Sequence, residues 1–203
     1  MYTDRRASIN IGVIFIVATI AVFAAAAVLP PLAGSTSSAI APAALLYLLA
    51  AGTSVGIAVF LYPILARINP TLALAAVVFR TIEAVFYTVS VVLLLSVPPL
   101  GDTALAELVL NIRLHADQVA VVSFSVGAFL YYWVFWRSRL VPRWISGWGM
   151  LAALSILTAC VIAIFSNTEI TGYVPLILPI AVQEMVLAVW LLAKGFNSNA
   201  LKS

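Results

Sequence analysis

From Ile9 to Leu29 the chain runs 21 residues without a charged side chain, and comparable apolar blocks recur along its 203 residues. This feature constrains the fold most. An α-helix rises 1.5 Å per residue, so about 20 apolar residues cross a hydrocarbon core of about 30 Å. Strands of a membrane barrel would instead alternate over about ten residues. Composition agrees with helices in lipid: 65% of residues are hydrophobic and 8% charged, against about 25% charged in a soluble domain. The reading is an all-α polytopic membrane helix bundle, a single transmembrane helical domain over residues 1–203. The first block exceeds the roughly 7–15 residues of a signal-peptide core, so it is expected to be a retained helix.

Six spans follow, at about 8–29, 43–66, 71–97, 116–136, 144–165 and 173–194. Pro30-Pro31 and Pro98-Pro99 are the expected stops of the first and third. "AGSTSSAIAP" reads as a loop and "RINP" as the end of the second span. The fourth helix begins before its membrane-embedded part, because Leu105, Leu108, Val109 and Ile112 keep helical spacing. If six helices alternate, Arg5, Arg6, Arg67, Arg137, Arg139, Arg143, Lys194 and Lys202 share one side, and Arg113 stands alone on the other. Cytoplasmic loops carry the excess of Lys and Arg, so both termini are expected in the cytoplasm. The opposite loops carry Asp102, Glu107 and Glu169. Trp133, Trp136, Trp144 and Trp148 flank the basic turn "RSRLVPRW", as an aromatic belt would. The arginines of that turn are expected to anchor it and touch anionic headgroups.

Two spans break the apolar rule. "VFRTIEA" places Arg80 and Glu83 about 14–18 Å into the third, and "PIAVQEMVLAVW" places Gln183 and Glu184 at a similar depth in the sixth. A charge at the centre of a membrane helix costs roughly 2.5–3.5 kcal/mol on insertion scales. These groups are therefore expected to face inward and meet. Arg80 and Glu83, three apart, share a helix face, and a guanidinium has donors for two carboxylates. The expectation is an Arg80–Glu83–Glu184 cluster, with Gln183 or nearby hydroxyls completing the hydrogen bonds. Its two carboxylates and one cation leave a surplus negative charge, which calls for a shared proton or a cation. Pro175 and Pro179 open the sixth helix just before this point.

"NIRLHADQVA" carries a second group. Asp117 follows Arg113 by four residues and can pair with it. His115 lies about 200° around the helix from Asp117 and shares a face with Gln118 instead. Were His115 to face the bundle, it would link the midplane cluster to the outside as a proton relay. "GTSVG", with Gly52 and Gly56, suits close helix packing and reads as carrying no chemistry. Cys160 reads as a small buried side chain. One cysteine and one histidine exclude zinc-finger and haem-attachment spacing. No metal site, cofactor or catalytic residue is assigned, and no nucleic acid is expected.

"GIAVFLYPIL", "FRTIEA", "LHAD", "SRLVPRWISGWG" and "PIAVQEMVLAVWLLAKGF" together resemble a bacterial membrane-protein family called domain of unknown function 4386. The resemblance spans the second to the sixth helix. It implies a polytopic protein of the bacterial cytoplasmic membrane and supplies no activity.

The function expected is small-molecule binding or proton-coupled transport at Arg80, Glu83, Gln183, Glu184, His115 and Asp117. The alternatives are an intramembrane lipid-acting enzyme, metal-dependent through His115, Asp117 and the glutamates, and a structural subunit of a larger membrane complex. The partners expected are the lipid bilayer, a small-molecule or lipid ligand, and a membrane-complex partner.

Overall fold

The computed structural model describes residues 2–29, 36–97, 100, 103–197 and 200. Among them there are six α-helices, one short 3-10 turn and no strand. The helices are α1 (Tyr2–Val28), α2 (Ser37–Leu65), α3 (Pro70–Ser96), α4 (Thr103–Ser138), α5 (Arg143–Ser166) and α6 (Val174–Ala193). Each is long and apolar enough to cross a membrane. Pro30-Pro31, Pro98-Pro99, Asp102 and Lys202 lie outside the described residues.

Local chemistry sets several boundaries. Asn69 caps α3, its side chain accepting from the Leu72 N–H at 3.0 Å, and Pro70 follows as the first helical residue. A proline is tolerated there because that N–H has no intrahelical partner. The proline of "RINP" thus starts α3, and α2 ends earlier, at Leu65. The expected loop up to Pro42 is helical from Ser37, so Pro42 sits inside α2. Pro42 is the sixth residue of the helix, past the first four donors that lack intrahelical acceptors, so it leaves the Ser38 carbonyl without its usual i+4 donor. At the C-terminus of α5, Asn167 takes the left-handed conformation (φ 52°), and Thr168 N–H returns to the Ala163 carbonyl. Asn tolerates that conformation better than most residues.

The helices pack as a closed ring. Each packs on its sequence neighbours, and α6 closes onto α1. Arg5 of α1 fastens the closure, donating to the carbonyls of Leu191 (3.0 Å) and Leu192 (2.6 Å) at the end of α6. These carbonyls lack intrahelical partners, so a cation there also offsets the helix dipole. α4 is the longest helix and the most buried. At 36 residues it measures about 54 Å, well beyond the hydrocarbon core, and its early residues Leu105, Leu108 and Ile112 are exposed. Inward it supplies Tyr131, Tyr132 and Phe135, all fully buried, which pack with Phe15, Ile64 and Leu140 in the apolar core. Large apolar side chains such as Ile20, Phe23, Leu45, Leu151 and Phe165 point outward instead. That inversion is the expected surface of a protein solvated by acyl chains.

Candidate functional site

Near the middle of α3, Arg80 and Glu83 are buried, with Arg80 Nη1 3.1 Å from Glu83 Oε2. The arginine is held on three sides. Its guanidinium lies 4.8 Å from the centre of the Phe124 ring of α4, a distance suited to cation–π attraction. Its aliphatic stem rests on Gly127, where a Cβ would come within 3.2 Å of Arg80 Cγ and Cδ. Phe124, Gly127 and Tyr131 follow the i, i+3, i+7 spacing of one helix face. α4 therefore presents a ring, a bare backbone patch and a hydroxyl toward α3.

Glu184 of α6 is buried too, and it interacts electrostatically with Arg80, Glu83 and Tyr131. α3 and α6 are not packed neighbours in the ring, so the two helices face one another across the interior. The Arg80–Glu83–Glu184 grouping is thus present through electrostatics, with direct contact limited to Arg80 and Glu83. Among the described residues Arg80 pairs with Glu83, and no ion pair joins Arg80 to Glu184. The groups still share one low-dielectric interior, where such charges act on each other beyond contact distance.

Of the two expected ways to complete the cluster's hydrogen bonds, Gln183 is not the one used. Its Oε1 accepts from the Tyr132 hydroxyl and its Nε2 donates to the Ile145 carbonyl at 3.1 Å. It joins α4, α5 and α6, and its amide is occupied there rather than in the Arg80 cluster. Ser155 Oγ donates to the Leu176 carbonyl at 2.8 Å, a further tie to α6 beside Pro179, which sits inside that helix.

Several polar atoms of the cluster are buried without a hydrogen-bond partner. Outside the Arg80 Nη1–Glu83 Oε2 ion pair, these are Ser54 Oγ on α2, Arg80 Nε on α3, Tyr131 OH on α4 and Glu184 Oε1 on α6. The Ser54 hydroxyl lies close enough to act on the Glu83 carboxylate, and the Tyr131 hydroxyl on Glu184, although Ser54 Oγ, Tyr131 OH and Glu184 Oε1 fall short of full hydrogen-bond geometry. Ser54 lies in the "GTSVG" segment read as free of chemistry. The close-packing signal of the two glycines hid a hydroxyl that faces the cluster.

The α4 group lies elsewhere. His115 is exposed, and its Nδ1 lies 3.0 Å from Gln118 Oε1. Gln118 Nε2 in turn donates to the Thr168 carbonyl at 3.2 Å. Asp117 pairs with Arg113 at 3.6 Å. His115 therefore turns away from the midplane cluster and ties α4 to the α5–α6 connection through Gln118, so the expected relay has no bridging side chain. Among the described residues no three His, Cys, Asp or Glu side chains gather into a metal-binding group. Cys160 is buried, its thiol 3.3 Å from the Gln118 carbonyl.

Six apolar helices around a charged interior define a multi-pass integral membrane protein. The chain belongs to the family described as Domain of unknown function (DUF4386), whose model matches residues 7–195. No curated protein and no solved structure matches it.

Proposed function

We propose that the chain is a small-molecule-binding or proton-coupled transport protein, with its site at Ser54, Arg80, Glu83, Tyr131 and Glu184. The observation that carries this reading is the set of buried, unpartnered polar atoms contributed by four helices. Leaving one such atom unpaired costs roughly 1–3 kcal/mol, and more when it is charged. Their convergence makes sense when something polar occupies the space between them. Water, a proton, or the polar part of a ligand would each serve. Two carboxylates against one guanidinium favour a proton, a cation, or the cationic end of a ligand. Intramembrane ionisable residues characteristically mark such pathways. Gln183, by contrast, holds the helices that frame the site.

The bacterial cytoplasmic membrane, with both termini inside, is part of the same proposal. The eight-to-one partition of basic residues supports it. The metal-dependent enzyme finds no support in the positions of His115 and the glutamates. A purely structural subunit would use the same buried charges as an ion-pair network, and it makes the opposite prediction for Glu184.

Glu184→Gln keeps the side chain's size and removes its charge and exchangeable acid. In proteoliposomes with an entrapped pH dye, an imposed pH step should drive a proton flux through the wild-type protein. That flux should fall by about tenfold or more in Glu184→Gln, roughly 1.4 kcal/mol or more of lost function, while helical content is unchanged. Equal fluxes in the two proteins, or none in either, would contradict proton coupling at this residue.

A further inference from the structure

Where α4 turns into α5 and the chain leaves α6, an open cleft of about 660 Å³ is lined by Arg139, Arg143, Trp190, Lys194 and Asn197 among others. Main-chain contacts frame it. Asn197 N–H donates to the Leu140 carbonyl at 2.9 Å, and Asn197 Nδ2 donates to the Arg139 carbonyl at 3.3 Å. Arg139 and Gly195 both adopt positive φ, 58° and 73°, at the two bends that bring these strands of chain together. Three cations line the cleft and no acidic residue does. Among the described residues, no carboxylate forms an ion pair with any of the three.

The usual structural roles do not account for all three charges. Lys194, at the C-terminus of α6, would ordinarily offset the helix dipole. The carbonyls of Leu191, Leu192 and Ala193 already receive Arg5. Arg143 is the first residue of α5, where a cation opposes the dipole. It lies 5.6 Å from the Trp136 ring, which orients the guanidinium without neutralising it. Three like charges around one concavity repel one another until an anion joins them. Tryptophans 136, 144, 148 and 190 stand around this end of the bundle, and Trp side chains concentrate at the headgroup level of a bilayer.

We infer that this cleft binds the phosphate of an anionic phospholipid headgroup. Arg139, Arg143 and Lys194 hold the phosphate oxygens, and Trp190 lies against the glycerol region. Arginine forks match phosphate geometry, and lysine adds a point charge. A free phosphate monoester carries the same recognised group, so the test separates the two sources.

The full chain in neutral detergent is titrated with phosphatidylglycerol and, separately, phosphatidylcholine, and retained lipid is counted by native mass spectrometry. Wild-type protein should retain phosphatidylglycerol in preference to phosphatidylcholine. Arg143→Gln with Lys194→Gln should weaken that retention by about tenfold or more, equivalent to about 1.4 kcal/mol. Removing two cations outside both the cleft and the α4–α5 turn, by Arg6→Gln with Arg67→Gln, should leave it unchanged. Because Arg143 packs on Trp136, Lys194→Glu alone provides a second variant that disturbs no ring contact, and it should also weaken retention. Equal loss in the two double variants would reduce the effect to general surface charge and overturn the site. Inorganic phosphate that binds the wild type without any preference between the lipids would overturn the lipid assignment in favour of free phosphate.

Discussion

Arg80 and Glu83 in α3, and Arg113 and Asp117 in α4, are both ion pairs within a single helix, formed at three- and four-residue spacing. The inner pair is 3.1 Å apart with side chains 3% and 5% exposed, and the outer is 3.6 Å apart at 16% and 27%. The same local pattern therefore serves two ends. Around the outer pair, His115, Gln118 and the Thr168 carbonyl form a chain of hydrogen bonds that secures a connection. Around the inner pair, α2, α4 and α6 present Ser54, Tyr131 and Glu184, whose buried polar atoms lack full hydrogen bonds; the outer pair shares this at one atom, Arg113 Nε. What separates a fastening from a candidate site is the chemistry that neighbouring helices bring to the pair.

Breaking the inner pair is the strongest challenge to this contrast. Arg80→Met should destabilise the protein by about 3–5 kcal/mol, because it leaves Glu83 charged, buried and uncompensated. Unfolding titrations in mixed detergent micelles would measure it. Arg80→Met combined with Glu83→Met should recover most of the loss, since no buried charge is then left alone on α3. A single-variant cost below about 1 kcal/mol would place the inner pair with ordinary surface pairs.

The outer pair should respond far less. Asp117→Asn should cost about 0–1 kcal/mol in the same titration, the range of partly exposed ion pairs. It should leave proton flux unaltered. A loss as large as that of Arg80→Met would erase the distinction between the two regions.

Much of the architecture was legible because lipid imposes a simple rule on long segments. Six apolar blocks gave six helices, and exceptions such as Arg80, Glu83 and Glu184 stood out against a background with few other charges. Their burial followed from the cost of exposing charge to acyl chains. Partnering was less legible. Depth along a helix says nothing about angular position in a ring, so the sequence did not reveal that α3 and α6 face one another across the interior rather than pack side by side. Gln183 and Glu184 are adjacent in sequence, yet the 100° step between them sends one amide to Tyr132 and Ile145 and the other side chain to the open cluster. Ser54 and Tyr131 went unnoticed because serine and tyrosine are unremarkable in membrane helices. The spacing of Phe124, Gly127 and Tyr131 was the available signal, a face too polar and too small in the middle for lipid contact.

The central claim is that the space beside Glu184 and Tyr131 holds something other than protein. An experimental structure in a lipid nanodisc, resolved finely enough to show water, addresses it directly. Non-protein density within hydrogen-bonding distance of both Glu184 Oε1 and the Tyr131 hydroxyl is the result predicted here. A dry interior, in which those two atoms bond to each other or to Arg80 and leave no room between them, would contradict it.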